Sequence, residues 1–219
     1  MIVAGIFDKL FSPQKDKIQE VFENLVALGY AKVPTGDGAL LASVRQLKPI
    51  GGGLFVVRNA VGMQRGGAMR YVSDLQLRTH VATSGGDIAE WTIITQNQPL
   101  PIKAPFNVTP RTIAYEMLFK HTQAQEEIIA GAGEKFVESF YAFSKTADAT
   151  WVPDEIQALM VERAPSFPFK ALNESIAIAH FSPKGWSILC DRVKNAGWFN
   201  DLLKMADDIE VVVGNLRQE

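Results

Sequence analysis

The 219-residue chain has one cysteine, Cys190, so it cannot close an internal disulfide and carries no disulfide framework of the secreted kind. That cysteine sits in the apolar run Gly-Trp-Ser-Ile-Leu-Cys-Asp (185–191), where it reads as a small buried hydrophobe in a reducing compartment. Long apolar runs are also missing. Stretches such as Ser-Ile-Ala-Ile-Ala-His-Phe and Gly-Leu-Phe-Val-Val fall far short of the roughly 20 residues that cross a bilayer as a helix. The opening residues have no basic side chain ahead of their apolar part and carry Asp8 and Lys9 inside it, so no signal peptide is expected and the chain is placed in the cytoplasm. Charge of one sign is scarce as well: 22 Lys and Arg stand against 24 Asp and Glu, a net of −2, with neither sign dominating a long stretch. Nucleic acid is therefore not an expected partner, because its attraction depends on clustered cations that release counterions.

Catalytic patterns are equally sparse. His80, His121 and His180 lie far apart, and no two of them stand one helical turn apart with a glutamate between, as a metal site of that type needs. His180 ends an alternating strand and reads as a partly exposed structural residue. Gly51–Gly53 lead into a strand, and the cluster around Gly66 and Gly67 lacks the Lys-Ser/Thr of a nucleotide loop, so both read as turns. Arg65 and Arg70 flank the second cluster and read as solvated side chains. The acidic pairs Glu126–Glu127 and Asp207–Asp208 read as solvated faces, because adjacent residues on a helix point apart. No strand-to-helix Gly-x-Ser-x-Gly elbow occurs. Trp91, Trp151, Trp186 and Trp198 are read as core filling rather than as a ligand pocket. No catalytic residue, cofactor or metal is assigned.

What the chain does have is enough apolar residue, 47%, to fold and bury a core. Ser12-Pro13 can start a helix, and Ile18, Val21, Phe22, Leu25 and Val26 recur at three and four, which predicts a helix over 13–28. Strands are predicted near 39–47, 53–61, 69–81, 90–96 and 105–109, punctuated by Gly, Pro and Asn and close enough for an antiparallel meander. Helix is predicted over 113–120 and over 126–144, the second interrupted at Gly131 and Gly133 and with Phe136, Phe140 and Phe143 on its buried face, and again from Pro153 with Ile156, Leu159 and Met160 inward. Residues 174–181 and 185–193 form a predicted hairpin through Ser182-Pro183-Lys184-Gly185, and a last helix spans 198–216. Strands segregated from helices make the fold class α+β: an antiparallel sheet, N-terminal meander plus C-terminal hairpin, packed with helices. The expected organisation is an amphipathic segment over 1–11 and one α+β domain over 12–219, with a sub-boundary near 111–125.

The stretch FVESFYAFSKTADATWVPDEIQALM (136–160), with Phe136 and Phe140 four apart, then Asp148-Ala149 and a helix ending in Gln-Ala-Leu-Met, precedes the hairpin IAIAHFSPKGWSILCD. Over this last third the chain resembles the closing part of an uncharacterised bacterial family whose members are often membrane-anchored. The resemblance implies a fold and a membrane neighbourhood, and no catalytic residue. Here only the opening segment is a candidate for such contact: Ile2, Val3, Ile6, Phe7, Leu10 and Phe11 recur at three and four, giving about three turns of helix with one apolar face. So short a helix is marginal alone in water and must dock. Its destinations are the chain's own domain, a partner protein's groove or a membrane interface. The expectation is a non-enzymatic binding or accessory subunit, peripheral to a membrane complex, with a small-molecule binder or an enzyme built on a histidine cleft as the alternative.

Overall fold

The computed structural model describes residues 13–49, 54–78, 88–111, 126–127, 132–144, 151–166, 168–169, 177–193 and 196–216. In chain order they form α1 (Pro13–Ala27), β1 (Ala31–Lys32), α2 (Gly38–Leu47), β2 (Leu54–Arg65), β3 (Ala68–Arg78), β4 (Ile88–Gln96), β5 (Phe106–Pro110), β6 (Glu126–Glu127), α3 (Glu134–Ser139), β7 (Phe140–Ser144), α4 (Asp154–Arg163), β8 (Ala177–Ser182), β9 (Gly185–Asp191) and α5 (Ala196–Asn215). All strands join one nine-stranded sheet in the order β1-β2-β3-β4-β9-β8-β5-β7-β6, and every pairing is antiparallel. The α+β class stands. The meander runs only from β2 to β4, because the C-terminal hairpin β8–β9 inserts between β4 and β5. Strands from both sides of the 111–125 stretch thus share the sheet.

Consecutive residues of a strand face opposite sides, and the two sides of this sheet differ. One row of paired residues, Val61, Val72, Ile94, Ile188, Ala179 and Val108, crosses six strands and packs with apolar side chains of α1, α4 and α5. The next residues along, such as Ala60, Ile93 and Leu189, pack on the other side with Leu40 and Val44 of α2. Three layers result, helix on sheet on helix. Gly185 stands where β9 meets β4: a Cβ there would lie 2.3 Å from the Gln96 carbonyl oxygen, so the approach admits only glycine.

Two sequence expectations are corrected. Residues 39–47, expected as a strand, form helix α2. Asp37 caps it by accepting a hydrogen bond from the Leu40 N–H (2.8 Å), and Leu40, Val44 and Leu47, spaced four and three apart, are buried. The stretch 126–144, expected as helix interrupted at Gly131 and Gly133, contains β6, then α3, then β7. Phe140 and Phe143 therefore belong to a strand, where alternation buries them on opposite faces. The helices expected over 13–28 and 198–216 and the helix from Pro153 are present within a residue or two, and the C-terminal hairpin is present over 177–182 and 185–191. The helix expected over 113–120 lies outside the described residues.

Candidate functional site

A cleft of about 550 Å³ lies between α3 and α4. Its shape begins with Gly133, which precedes α3 without a side-chain cap. The Gly133 N–H donates instead to Oε1 of Gln157 (2.8 Å), while Nε2 of Gln157 donates to the Val152 carbonyl (2.8 Å) and to Oδ1 of Asp154 (3.3 Å). Gln157 is buried. It brackets the start of α3 against the first turn of α4 and satisfies its own amide in doing so, which fixes the spacing of the two helices. The apolar wall comes from Phe136, Ala158 and Val161, with Glu134, Lys135 and Glu162 beside them. Phe136 is held from behind: it stacks on Phe140 (ring centroids 5.7 Å), which meets Phe169 edge-on (5.8 Å).

The ionisable groups singled out in the sequence are engaged elsewhere. Arg70, expected in solvent, is 1% exposed. Its guanidinium pairs with Asp207 (2.6 Å) and with Glu210, donates to Oε1 of Gln96 (2.9 Å) and to the Ala206 carbonyl (3.2 Å), and lies 5.7 Å from the centroid of the Trp186 ring. Arg65 joins the same carboxylates, at 2.8 Å from Asp207 and 3.3 Å from Glu210. Desolvation works against its charge, yet the nearby carboxylates Asp207 and Glu210 leave the Arg65 pKa raised. Asp208 pairs with Arg163 of α4. The acidic pair 207–208 thus tethers α5 while staying part-exposed, Asp207 at 49% and Asp208 at 32%. The turn between β2 and β3 takes part too: Gly66 (φ +52°) brings backbone so close to Glu210 that a Cβ would stand 2.6 Å from its Oε1. A second buried pair joins Asp74 to Arg192 (2.7 Å), which also reaches Glu90 (2.6 Å). Burial raises the Asp74 pKa, and the Arg192 partnership only partly offsets it.

His180 is buried, a correction to its expected partial exposure: its Nδ1 lies 2.9 Å from Oδ1 of Asn107 on the neighbouring strand β5. Burial lowers its pKa from 6.5 to about 4, so the imidazole is neutral near pH 7. Cys190 is buried, as read from the sequence, and burial followed by the neighbouring Asp191 pushes its thiol pKa well up. Trp91 and Trp186 are buried, whereas Trp151 and Trp198 are exposed, so only two of the four fill core. Among the described residues no three His, Cys, Asp or Glu side chains gather in a way that would hold a metal ion, and no helix is long and apolar enough to cross a membrane. Ile2, Val3, Ile6, Phe7, Leu10, Phe11, His80 and His121 lie outside the described residues. Sequence reasoning missed Gln157; its signal was an amide beside Ile156 on the inward stripe of an otherwise apolar helix face.

No protein-family model matches the chain, and no curated protein matches it. Among solved structures, the crystal structure of the mycobacterial trehalose monomycolate transport factor A, TtfA, is similar over 85% of this chain and 88% of that chain, with 12% identity and a TM-score of 0.48.

Proposed function

We propose that this chain is a non-enzymatic binding or accessory subunit that takes a protein partner in the cleft between α3 and α4, with the opening segment as its contact to the same assembly or to a membrane surface. The cleft carries this reading: an apolar wall, a fixed spacing set by the Gln157 bracket, and charged residues beside the wall. That arrangement suits an amphipathic partner element, which fills the wall with apolar side chains and meets water at its edges. A photo-crosslinking residue placed at Ala158, exposed in the cleft, is expected to capture a defined partner in cells, while the same residue at Gln46, exposed on α2, does not. Equal capture at both positions, or at neither, overturns the reading. A small-molecule ligand is the second reading, favoured by a volume within the roughly 300–1,000 Å³ of ordinary ligand pockets, and it predicts no adduct at Ala158.

The opening segment supplies a separate expectation. Flotation with vesicles of neutral and anionic lipid is expected to carry the full chain but not a chain lacking residues 1–11, because Ile2, Val3, Ile6, Phe7, Leu10 and Phe11 recur at three and four in the sequence. A full chain that stays at the bottom with both lipids assigns the stripe to a protein contact instead.

A further inference from the structure

Among the described residues, no strand pairs with the outer edge of β2 along half its length. β1 pairs with β2 only at Val61 and Gly62, and just beyond it the Val33 N–H donates to the Ala60 carbonyl (3.0 Å). From Leu54 to Asn59, no strand among the described residues lies on that side. In a strand with one neighbour, every second residue turns its N–H and C=O away from that neighbour, so this stretch offers a row of backbone donors and acceptors. Sheet edges are ordinarily blunted by lysine, proline or a bulge. Here Leu54-Phe55-Val56-Val57 has neither charge nor proline, and the bulge arrives only after it, between Val57 and Asn59. Val56 is 51% exposed on one face. On the other face Phe55 is half-buried against the α2 side of the sheet, with the Lys48 ammonium 5.3 Å from its ring centroid.

We infer that this edge is a self-association surface on which a second copy of the chain pairs its own β2, antiparallel, to extend the sheet. Its self-complementarity selects that occupant. A two-fold axis perpendicular to the sheet keeps each strand's faces, so opposed residues must share parity. With the axis at Val56, valine meets valine, Phe55 meets Val57 of the second copy, and Arg58 meets Leu54. The two Arg58 guanidiniums then attach roughly 13 Å apart, four residues of strand rise, and like charges do not oppose each other. Pairing stops where β1 occupies the edge, so the interface is short and the dimer weak and concentration-dependent.

Sedimentation of the full chain across a wide concentration range tests this. The wild type is expected to pass from monomer to dimer, and Val56→Lys, which opposes two ammonium groups at an exposed position, to weaken association by roughly tenfold or more. The variant's circular dichroism and melting curve should match the wild type. Independently, Val56→Cys is expected to form an intermolecular disulfide on mild oxidation while Gln46→Cys does not; Cys190 is buried and does not compete. A chain monomeric at every concentration, a dimer indifferent to Val56→Lys, or equal cross-linking at positions 46 and 56 overturns the inference.

Discussion

Arg70→Met is expected to lower the unfolding free energy by about 3 kcal/mol, because it removes the buried cation of the cluster and leaves the largely buried Glu210 only the part-exposed Arg65 as partner. Arg70 is fully buried and Glu210 largely so, and together they join the β3 strand to α5. Methionine keeps most of the aliphatic stem, so the loss isolates the guanidinium. It takes with it the pairs to Asp207 and Glu210, the bonds to Gln96 and Ala206, and the position over the indole ring. Arg65→Met provides the contrast. Its side chain is 39% exposed and pairs with the same two carboxylates, so water and salt already screen much of its interaction, and the expected loss is below about 1 kcal/mol. Urea titrations at unchanged slope read both differences as shifts of midpoint. Replacing Glu210 by leucine in the Arg70→Met background should recover part of the loss, as buried charge clusters often tolerate wholesale apolar replacement better than half-removal. Equal effects of Arg65→Met and Arg70→Met would show that burial is not what sets the energetics of this tether.

The second large effect is a loss of stability in mild acid that traces to His180. Its ordinary pKa of 6.5 falls to about 4 in the fold because burial disfavours the imidazolium. The unfolded chain therefore binds the proton first. Stability from this group is complete above pH 6.5, declines as the pH falls toward 4 with a slope of up to about 1.4 kcal/mol per pH unit, and levels off below. The sum across that window is about 3 kcal/mol. His180→Gln, which offers an uncharged N–H donor to Oδ1 of Asn107 and does not titrate, should flatten the decline between pH 6.5 and 4. Asp74 acts with the opposite sign: its raised pKa means that the fold takes up that proton before the unfolded chain does. Both proteins share that contribution, so the difference between their pH profiles reports His180 alone. Parallel profiles for wild type and variant would refute the assignment.

How much of this was legible in the sequence follows from how local each signal is. The helix at 13–27, the terminal helix and the β8–β9 hairpin each rest on a periodicity and a turn within about twenty residues, and each was readable. Helix α2 was misread because Ala-Leu-Leu-Ala-Ser-Val offers apolar residues to either period, and the deciding feature is a single cap, Asp37, on the Leu40 amide. The segment 126–144 was misread for the complementary reason: Phe136 and Phe140 sit four apart like helical neighbours, yet the helix stops between them and Phe140 starts a strand. Arg70 and Asp207 are 137 positions apart, and nothing in either local stretch announces the other. Of the cleft's apolar wall only Phe136 was visible, as an inward residue; Ala158 and Val161 lie off the stripe Ile156, Leu159 and Met160 that the periodicity of α4 shows. The bracket that shapes the cleft, Gln157 on Gly133, spans two elements and was not visible.

The insertion of β8–β9 between β4 and β5 also dictates an order of events during synthesis. The meander β2–β3–β4 can pair as soon as it leaves the ribosome, but its inner edge, β4, waits for β9, which ends at Asp191. Until roughly nine-tenths of the chain has been made, an apolar strand edge stays open at what becomes the middle of the sheet. High sequence separation of this kind slows folding and exposes nascent chains to mispairing. The nascent protein therefore needs its last fifth before its centre exists, and truncations beyond α5 into the hairpin should yield not a smaller domain but a sheet split in two.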